Sequence, residues 1–451
     1  MIDAARARRR GRAIDRPHRF VYPPAVSRPP LARLLLLLAL LPCACAREAD
    51  VMIPPPILAQ DERLDLTRAI AERDRGSTVE VLYATNRTPA ADGDRAHFTS
   101  VPGAAALLGR AAVRLGEPGW SFDDLVASDR TSRAEDDPRP AQVVSIEPFG
   151  ALGDEAADAA FVAAIDERVA RSRTGEAVLY VPGYRVSFNR TLTFMGGWAH
   201  YLGRSSAVMT FAWPTGTRVW SYLTDCPRAR AFVPDIERLI TLVAERSQAK
   251  RLNLIAFSCG SPLLADALVA LRARHPDDDA DALQRRYRIA NAIFVAADID
   301  LATFARSQLP ALTTIARRTE VYLSEDDVAL KVAAFLARAS RLGRPRFDEL
   351  TREDLETLAG NDRLVGIDVT GVYGRHETTG MRGHGYWFAN QRVSSDVLLS
   401  MVYPFDPAWR GLVHGPGKGL WTFPDDYPER VVTAVHDAAP ELRREPAAAR
   451  P

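Results

Sequence analysis

Residues 252–263 read Leu-Asn-Leu-Ile-Ala-Phe-Ser-Cys-Gly-Ser-Pro-Leu, an apolar run that stops abruptly at Ser258 and is followed by apolar residues at helical spacing. The pattern predicts a strand, a sharp turn with the serine at its apex, and a helix. Small residues lie two positions before and two after the serine, at Ala256 and Gly260, where larger side chains would collide with the turn. The stretch therefore predicts a nucleophile elbow in which Ser258 is the nucleophile.

The composition is that of a globular protein with a sizeable core. The chain has 451 residues, of which 47% are hydrophobic and 25% charged, which is enough for one large α/β domain with extensions. Its net charge is only +1, and no strongly basic block appears beyond the N-terminus. This charge balance argues against nucleic-acid binding as the main activity, so we expect no nucleic-acid partner.

The first 46 residues have the composition of a secretory signal peptide. An arginine-rich region precedes the apolar run 34–41 and the small residues around Cys45. That apolar run is too short to span a bilayer, which needs about 20 residues. We expect an exported protein that is periplasmic or associated with the cell envelope. It is either cleaved after Ala46 or attached to the membrane through a lipid on Cys45.

Beyond this segment the sequence predicts a linker over 47–76, one domain over 77–435 and a flexible tail over 436–451. A short helix is expected near 64–73 and a surface loop over 123–140. Strands are predicted at 78–87, 143–146, 177–181, 207–213, 252–257, 289–297, 319–323 and 364–372. Helices are predicted at 189–202, 229–247, 262–274, 302–308, 327–339 and 388–402.

Strands that alternate with helices and are almost entirely apolar are typical of a parallel sheet covered on both faces. With an elbow after a central strand, the pattern predicts an α/β-hydrolase fold: a mostly parallel sheet with an N-terminal strand extension. In such sheets ligands bind at the carboxyl ends of the strands, which is where Ser258 would lie.

A serine hydroxyl becomes a good nucleophile only when a base takes its proton and an acid orients that base. In this fold the chain order is serine, then acid, then histidine. The strand at 319–323 is followed by three carboxylates in Ser324-Glu-Asp-Asp-Val-Ala-Leu330, and Asp327 is the favoured acid. Its rivals are Asp298 and Asp300 after the preceding strand. The alternative is an exposed loop that merely caps the next helix.

Four of the eight histidines follow Asp327 in the chain. His384 is the favoured base because glycines flank it in Gly383-His-Gly-Tyr-Trp387 and leave the loop free to present its imidazole. His376 is the second candidate, since it also follows a predicted strand. The alternative for His384 is an ordinary histidine in a surface loop.

Catalysis also needs N–H donors aimed at the developing oxyanion. The amide after the nucleophile, at Cys259, is one candidate. The loop Pro182-Gly-Tyr-Arg185 after a predicted strand should supply the other, and we assign it to the amide of Tyr184. The alternative is that this Pro-Gly pair marks an ordinary turn.

Cleavage of the signal peptide would leave at most three of the four cysteines: Cys45, Cys226 and Cys259. An oxidising compartment would permit a disulfide between Cys226 and Cys259. We expect instead two separate, half-buried thiols. No spacing of cysteines and histidines indicates a metal site.

Taken together, these stretches resemble a bacterial α/β-hydrolase family of unknown function whose members are often labelled esterase-like or lipase-like. The resemblance runs in order from about residue 79 to 402. It implies Ser258 as nucleophile, Asp327 as acid and His384 as base. The matching stretches are Tyr83-Ala-Thr-Asn-Arg87, Val181-Pro-Gly-Tyr-Arg-Val-Ser-Phe188, Phe211-Ala-Trp-Pro-Thr-Gly216, Tyr222-Leu-Thr-Asp225, the elbow, Ala297-Asp-Ile-Asp300, Ser324-Glu-Asp-Asp-Val-Ala-Leu330 and Gly383-His-Gly-Tyr-Trp387 through Asp396.

The chain departs from the family pattern at two positions beside the reaction centre. Pro182 stands where the family usually has histidine in the oxyanion loop, and Phe257 stands where it usually has histidine before the nucleophile. The leading hypothesis is an exported serine hydrolase that cleaves small-molecule esters of short or medium acyl chains and needs no metal or organic cofactor. The alternatives are a catalytically degenerate scaffold that binds a partner in the cell envelope, and acyl transfer or amide cleavage by the same triad. The residues that could line an acyl pocket, or form plain core, are Trp213, Trp220, Tyr222 and Trp387.

Overall fold

The computed structural model describes residues 50–444, except for 69, 92, 95, 133–138, 173, 217–220, 373–382, 404 and 416–418. The chain divides into two units, Met1–Arg47 and Glu48–Pro451, and every element described below lies in the second. The predicted signal peptide, Cys45, Trp220 and His376 lie outside the described residues. In the part of the chain that is described, no helix is both long and apolar enough to cross a membrane.

Within the described residues, eleven strands form a single sheet in the order β10-β11-β9-β8-β7-β6-β4-β5-β1-β2-β3. Neighbouring strands pair in parallel over most of the sheet, in the order β1, β5, β4, β6, β7, β8, β9 and β11. β2 and β3 extend one edge in antiparallel fashion, and β10 pairs antiparallel with β11 at the other. The strands are β1 Thr78–Pro89, β2 Phe98–Leu115, β3 Ala141–Ala151, β4 Glu176–Val181, β5 Ala207–Phe211, β6 Arg251–Phe257, β7 Ile289–Val295, β8 Arg318–Leu323, β9 Leu364–Asp368, β10 Val413–His414 and β11 Leu420–Thr422.

Both faces of the sheet are buried along the central strands β4 to β8. Along β4, Val178 and Tyr180 belong to one apolar cluster, whereas the alternate residues Ala177, Leu179 and Val181 belong to the other. The helix bounds are Ile57–Gln60, Phe122–Thr131, Glu155–Val169, Phe188–Tyr201, Tyr222–Ala229, Val233–Arg246, Gly260–Ala273, Ala280–Tyr287, Leu301–Thr303, Leu309–Ile315, Val328–Ala337, Arg352–Ala359, Tyr386–Ala389, Gln391–Val402 and Tyr427–Ala438.

The predicted architecture, a mostly parallel sheet with helices on both faces, is confirmed, but two local predictions are wrong. The predicted loop at 123–140 begins with the helix Phe122–Thr131, because Ser121 and Asp124 form a capping box and Leu125 is buried. The helix expected near 64–73 is absent there, and only a short 3-10 turn, Glu72–Asp74, is described. The helix predicted at 302–308 is present and is longer than predicted: the α-helix Leu301–Thr303, the π-helix Phe304–Gln308 and the α-helix Leu309–Ile315 follow one another without a break.

The strand β2, which is 18 residues long, was not predicted from the sequence. Its middle is rich in alanine and glycine, which carry little strand propensity of their own. Pairing with β1 on one side and β3 on the other supplies its hydrogen bonds. This strand is therefore fixed by its neighbours and not by its local sequence.

The segments predicted as linker and tail pack against the rest of the protein where they are described. Met52, Ile53 and Leu58, in the predicted linker, are buried in the core. Leu64 forms an isolated antiparallel bridge with Arg443 near the other end of the chain. The helix Tyr427–Ala438 extends into the predicted tail.

Candidate active site

The nucleophile elbow forms where β6 ends. Ser258 has a φ of 51°, in the left-handed region that a side chain rarely adopts and that costs about 1–3 kcal/mol. Its N–H donates to the carbonyl of Val295 on the neighbouring strand at 3.1 Å, which holds the turn against the sheet. A Cβ at position 260 would collide with the carbonyl oxygens of Val181 and Pro182, so only glycine permits this close approach.

The structure brings the three predicted triad residues together. His384 Nε2 lies 2.9 Å from Ser258 Oγ, and His384 Nδ1 lies 2.7 Å from Asp327 Oδ2. If Nδ1–H donates to the carboxylate, Nε2 is left free to accept the serine proton. Ser258, His384 and Asp327 are only 4%, 2% and 0% exposed, so these hydrogen bonds lie almost entirely out of water.

Asp327 has two roles at once. One carboxylate oxygen accepts from His384, and the other accepts from the N–H of Leu330 at 2.8 Å, which caps the helix Val328–Ala337. The two interpretations offered by the sequence, helix cap and catalytic acid, are therefore compatible in one side chain. The cap fixes the carboxylate in the direction of the imidazole.

Glycine and an aromatic ring position the imidazole of His384. Gly383 has a φ of 80°, and a Cβ there would lie 2.9 Å from the carbonyl oxygen of Asp326, so the loop turns in a way that only glycine tolerates. The ring of Phe257 packs against the imidazole with 4.9 Å between centroids. Phe257 thus supports the base by packing, although it carries no polar group.

The rival acids are engaged elsewhere. Asp298 accepts a hydrogen bond from the hydroxyl of Tyr222 at 2.7 Å and lies 3.1 Å from Nε of Arg341. Burial, and secondarily the nearby charge of Asp298, raises the pKa of Tyr222 and keeps its phenol protonated as a donor. Asp300 caps a short helix through the N–H of Thr303. The sequence analysis overlooked Arg341, because no local pattern marks its ion pair.

The two proposed oxyanion donors are both available. Neither the N–H of Cys259 nor that of Tyr184 donates a hydrogen bond to another described residue. The space beside the α-carbon of Gly183 is bounded by the ring of Phe257 and by Cβ of Ser258, so the Pro182–Arg185 loop lies against the nucleophile. Trp213 Nε1 donates to the carbonyl of Pro182 at 2.7 Å and fixes this loop.

The aromatic residues considered for an acyl pocket divide into two kinds. Trp213 and Trp387 are fully buried and belong to the core, which removes them as pocket walls. Tyr222 is partly exposed, and its ring meets that of Tyr184 edge to face with 5.4 Å between centroids. These two tyrosines form a partly open aromatic rim beside the elbow.

No residues suited to a resident metal come together in the part of the chain described. Among those residues, no group of three or more His, Cys, Asp and Glu side chains could hold a metal ion. The polar groups that do converge at the elbow are a hydroxyl, an imidazole and a carboxylate.

One expectation from the sequence is wrong: Cys226 and Cys259 form a disulfide and are not separate thiols, with 5.6 Å between their α-carbons. Cys226 lies on the helix Tyr222–Ala229, and Cys259 directly follows the nucleophile. The bond therefore ties the elbow to the helix that carries the aromatic rim. The sequence permitted this pairing but could not decide it, because it depends on two distant segments meeting in space.

Removing the disulfide by Cys226→Ser should lower the free energy of unfolding by about 3–4 kcal/mol, because the bond closes a loop with a sequence separation of 33 residues and restricts the unfolded chain. Urea denaturation with and without dithiothreitol measures the effect. The reductant should destabilise the wild type by a similar amount and leave the variant unchanged. Equal stability of the oxidised wild type and the variant would contradict the bond.

Comparison with known families places the elbow and triad inside a matched region. The sequence model of an alpha/beta hydrolase family of unknown function (DUF900) matches residues 157–400, more than half of the chain. This region begins within the helix Glu155–Val169, before β4, and ends within the helix Gln391–Val402, after His384. No curated protein matches the chain.

Proposed function

This chain belongs to the alpha/beta hydrolase family of unknown function, and from that premise we propose that it is a serine hydrolase that cleaves carboxylic esters. The observation that supports the proposal most directly is the continuous chain of hydrogen bonds from Asp327 through His384 to Ser258. Its geometry is that of a nucleophile, a general base and an orienting acid.

In the proposed mechanism, Ser258 Oγ attacks the ester carbonyl while His384 Nε2 takes the hydroxyl proton. The amides of Cys259 and Tyr184 donate to the oxyanion of the tetrahedral intermediate. Asp327 stabilises the imidazolium and keeps it oriented. His384 then returns the proton to the departing alcohol, which leaves an acyl-enzyme on Ser258. Water, activated by the same imidazole, releases the acid.

The substrate class is proposed from the surroundings of the nucleophile. Ser258 is only 4% exposed, which favours a slim acyl group over a bulky one. The partly exposed rings of Tyr184 and Tyr222 offer an apolar contact to an acyl chain or an alcohol group beside the elbow. We therefore propose esters of short or medium acyl chains.

Export is proposed from the sequence alone, since the basic and apolar segments of the N-terminus lie outside the described residues. A mature protein in the cell-envelope fraction should begin at Arg47, or at Cys45 if that residue carries a lipid. N-terminal mass analysis of the fractionated protein tests this, and an unprocessed N-terminus in the cytoplasm would contradict it.

A fluorophosphonate probe tests the proposed function, because it phosphonylates only a serine that a nearby base has activated. Native protein should be labelled, with the adduct on Ser258 by peptide mass spectrometry, and should hydrolyse p-nitrophenyl butyrate. Heat-unfolded protein is the control and should not react, since unfolding separates Ser258 from His384. A native protein that neither reacts nor turns over the ester would favour the degenerate binding scaffold.

A further inference from the structure

A concave site lies at the amino-terminal ends of the parallel strands, whereas the triad lies at their carboxyl ends. It is a cavity of about 450 Å³ at the amino-terminal ends of β6, β7 and β8. Six of its nine lining residues are cationic and none is acidic. The six are Lys250, Arg251, Arg285, Arg288, Arg317 and Arg318.

Three of these cations already have partners in the fold. Arg288 donates to the carbonyls of Val243 and Ser247 at the end of a helix. Arg251 lies 3.0 Å from Glu176, and Arg318 lies 3.1 Å from Asp406. These contacts explain part of the positive charge as caps and ion pairs.

The other three cations lack such partners. Among the described residues, the side chains of Lys250, Arg285 and Arg317 make no hydrogen bond and no ion pair within 4.0 Å. All three are exposed, at the mouth of the same cavity. Helix carboxyl ends favour basic residues nearby, but that effect is weak and leaves the guanidinium donors of Arg285 and Arg317 without a described acceptor.

The concentration of charge is local. The whole chain has a net charge of +1, so six cations around one cavity do not reflect a generally basic surface. A concave surface lined by one sign of charge focuses its field and attracts ions of the opposite sign. Arginine forks match the oxygens of a phosphate, with two parallel hydrogen bonds.

We propose that this cavity is a binding site for a phosphate-bearing anion with at least two negative charges. Its volume falls in the range of about 300–1,000 Å³ that is typical of small-molecule sites, so it accommodates an organic phosphate or a phospholipid headgroup. The seven residues of β6 separate the cavity from Ser258 by about 20 Å. The proposal is therefore independent of the reaction at the elbow.

The test compares the wild type with the triple variant Lys250→Gln, Arg285→Gln, Arg317→Gln. A matched control, Arg130→Gln, Arg338→Gln, Arg352→Gln, removes the same charge from exposed positions outside the cavity. Isothermal titration with inorganic pyrophosphate at constant ionic strength should show binding by the wild type and the control, and at least tenfold weaker binding by the cavity variant. The thermal midpoint of the cavity variant without pyrophosphate should fall no further than that of the control variant, because the three substitutions break no ion pair among the described residues.

Vesicle flotation distinguishes the two sources of phosphate. Vesicles of cardiolipin and phosphatidylcholine that bind the wild type, and release it on addition of pyrophosphate, would assign a lipid headgroup. Pyrophosphate binding without vesicle binding would assign a soluble phosphate compound. The proposal is overturned if the wild type binds neither probe, if the cavity variant binds as well as the wild type, or if the cavity variant without ligand is destabilised more than the control variant.

Discussion

Replacing Ser258 by alanine should lower kcat for ester hydrolysis by about 10⁶-fold while leaving the fold intact. This hydroxyl is the group proposed to form the acyl-enzyme, and no other described hydroxyl lies within hydrogen-bonding distance of His384 Nε2. Alanine is compatible with the small space at the elbow. Steady-state kinetics with p-nitrophenyl butyrate measure the loss, and circular dichroism checks the fold.

Ser261→Ala provides the matched control. Ser261 is also buried, lies three positions further along the same turn and helix, and has no hydrogen-bond partner for its hydroxyl among the described residues. Its removal should change kcat by less than about twofold, because the substitution breaks no hydrogen bond with a described residue and leaves no partner unpaired. A Ser258→Ala protein with wild-type kcat would disprove the assignment of the nucleophile.

The second large effect is expected at Asp327, where asparagine should lower kcat by about 10⁴-fold. An asparagine amide can hold the imidazole in the wrong tautomer and cannot stabilise the imidazolium. It can still accept the hydrogen bond from Leu330, because asparagine caps helices about as well as aspartate does. The free energy of unfolding should therefore change little, so lost activity cannot be attributed to lost structure.

Two further variants separate the roles of this carboxylate. Asp327→Ala should show the same catalytic loss and in addition a destabilisation of about 1 kcal/mol in urea denaturation, because the helix loses its cap. Asp300→Asn, at the rival acid that also caps a helix, should retain wild-type activity. If Asp300→Asn lost activity and Asp327→Asn did not, the acid would have been assigned to the wrong strand.

The sequence by itself determined the architecture and the three residues that meet at the elbow. Apolar runs mark buried parallel strands because both of their faces must leave water, and all eight predicted strands are present. The elbow is visible because its steric demand falls on neighbouring residues, Ala256 and Gly260. The proposed acid and base follow from chain order once the fold is known, since each comes after a later strand.

Only the tertiary structure decided which groups from distant segments meet. The Cys226–Cys259 disulfide, the ion pair of Asp298 with Arg341 and the pairing of β2 each join parts of the chain that carry no mutual signal in the sequence. The cationic cavity arises in the same way, from three strand ends brought side by side. Local sequence patterns indicate whether a residue is buried and whether it lies in a strand, a helix or a turn. Which residues from distant segments contact each other depends on strand order and helix packing, and these are fixed only when the whole chain has folded.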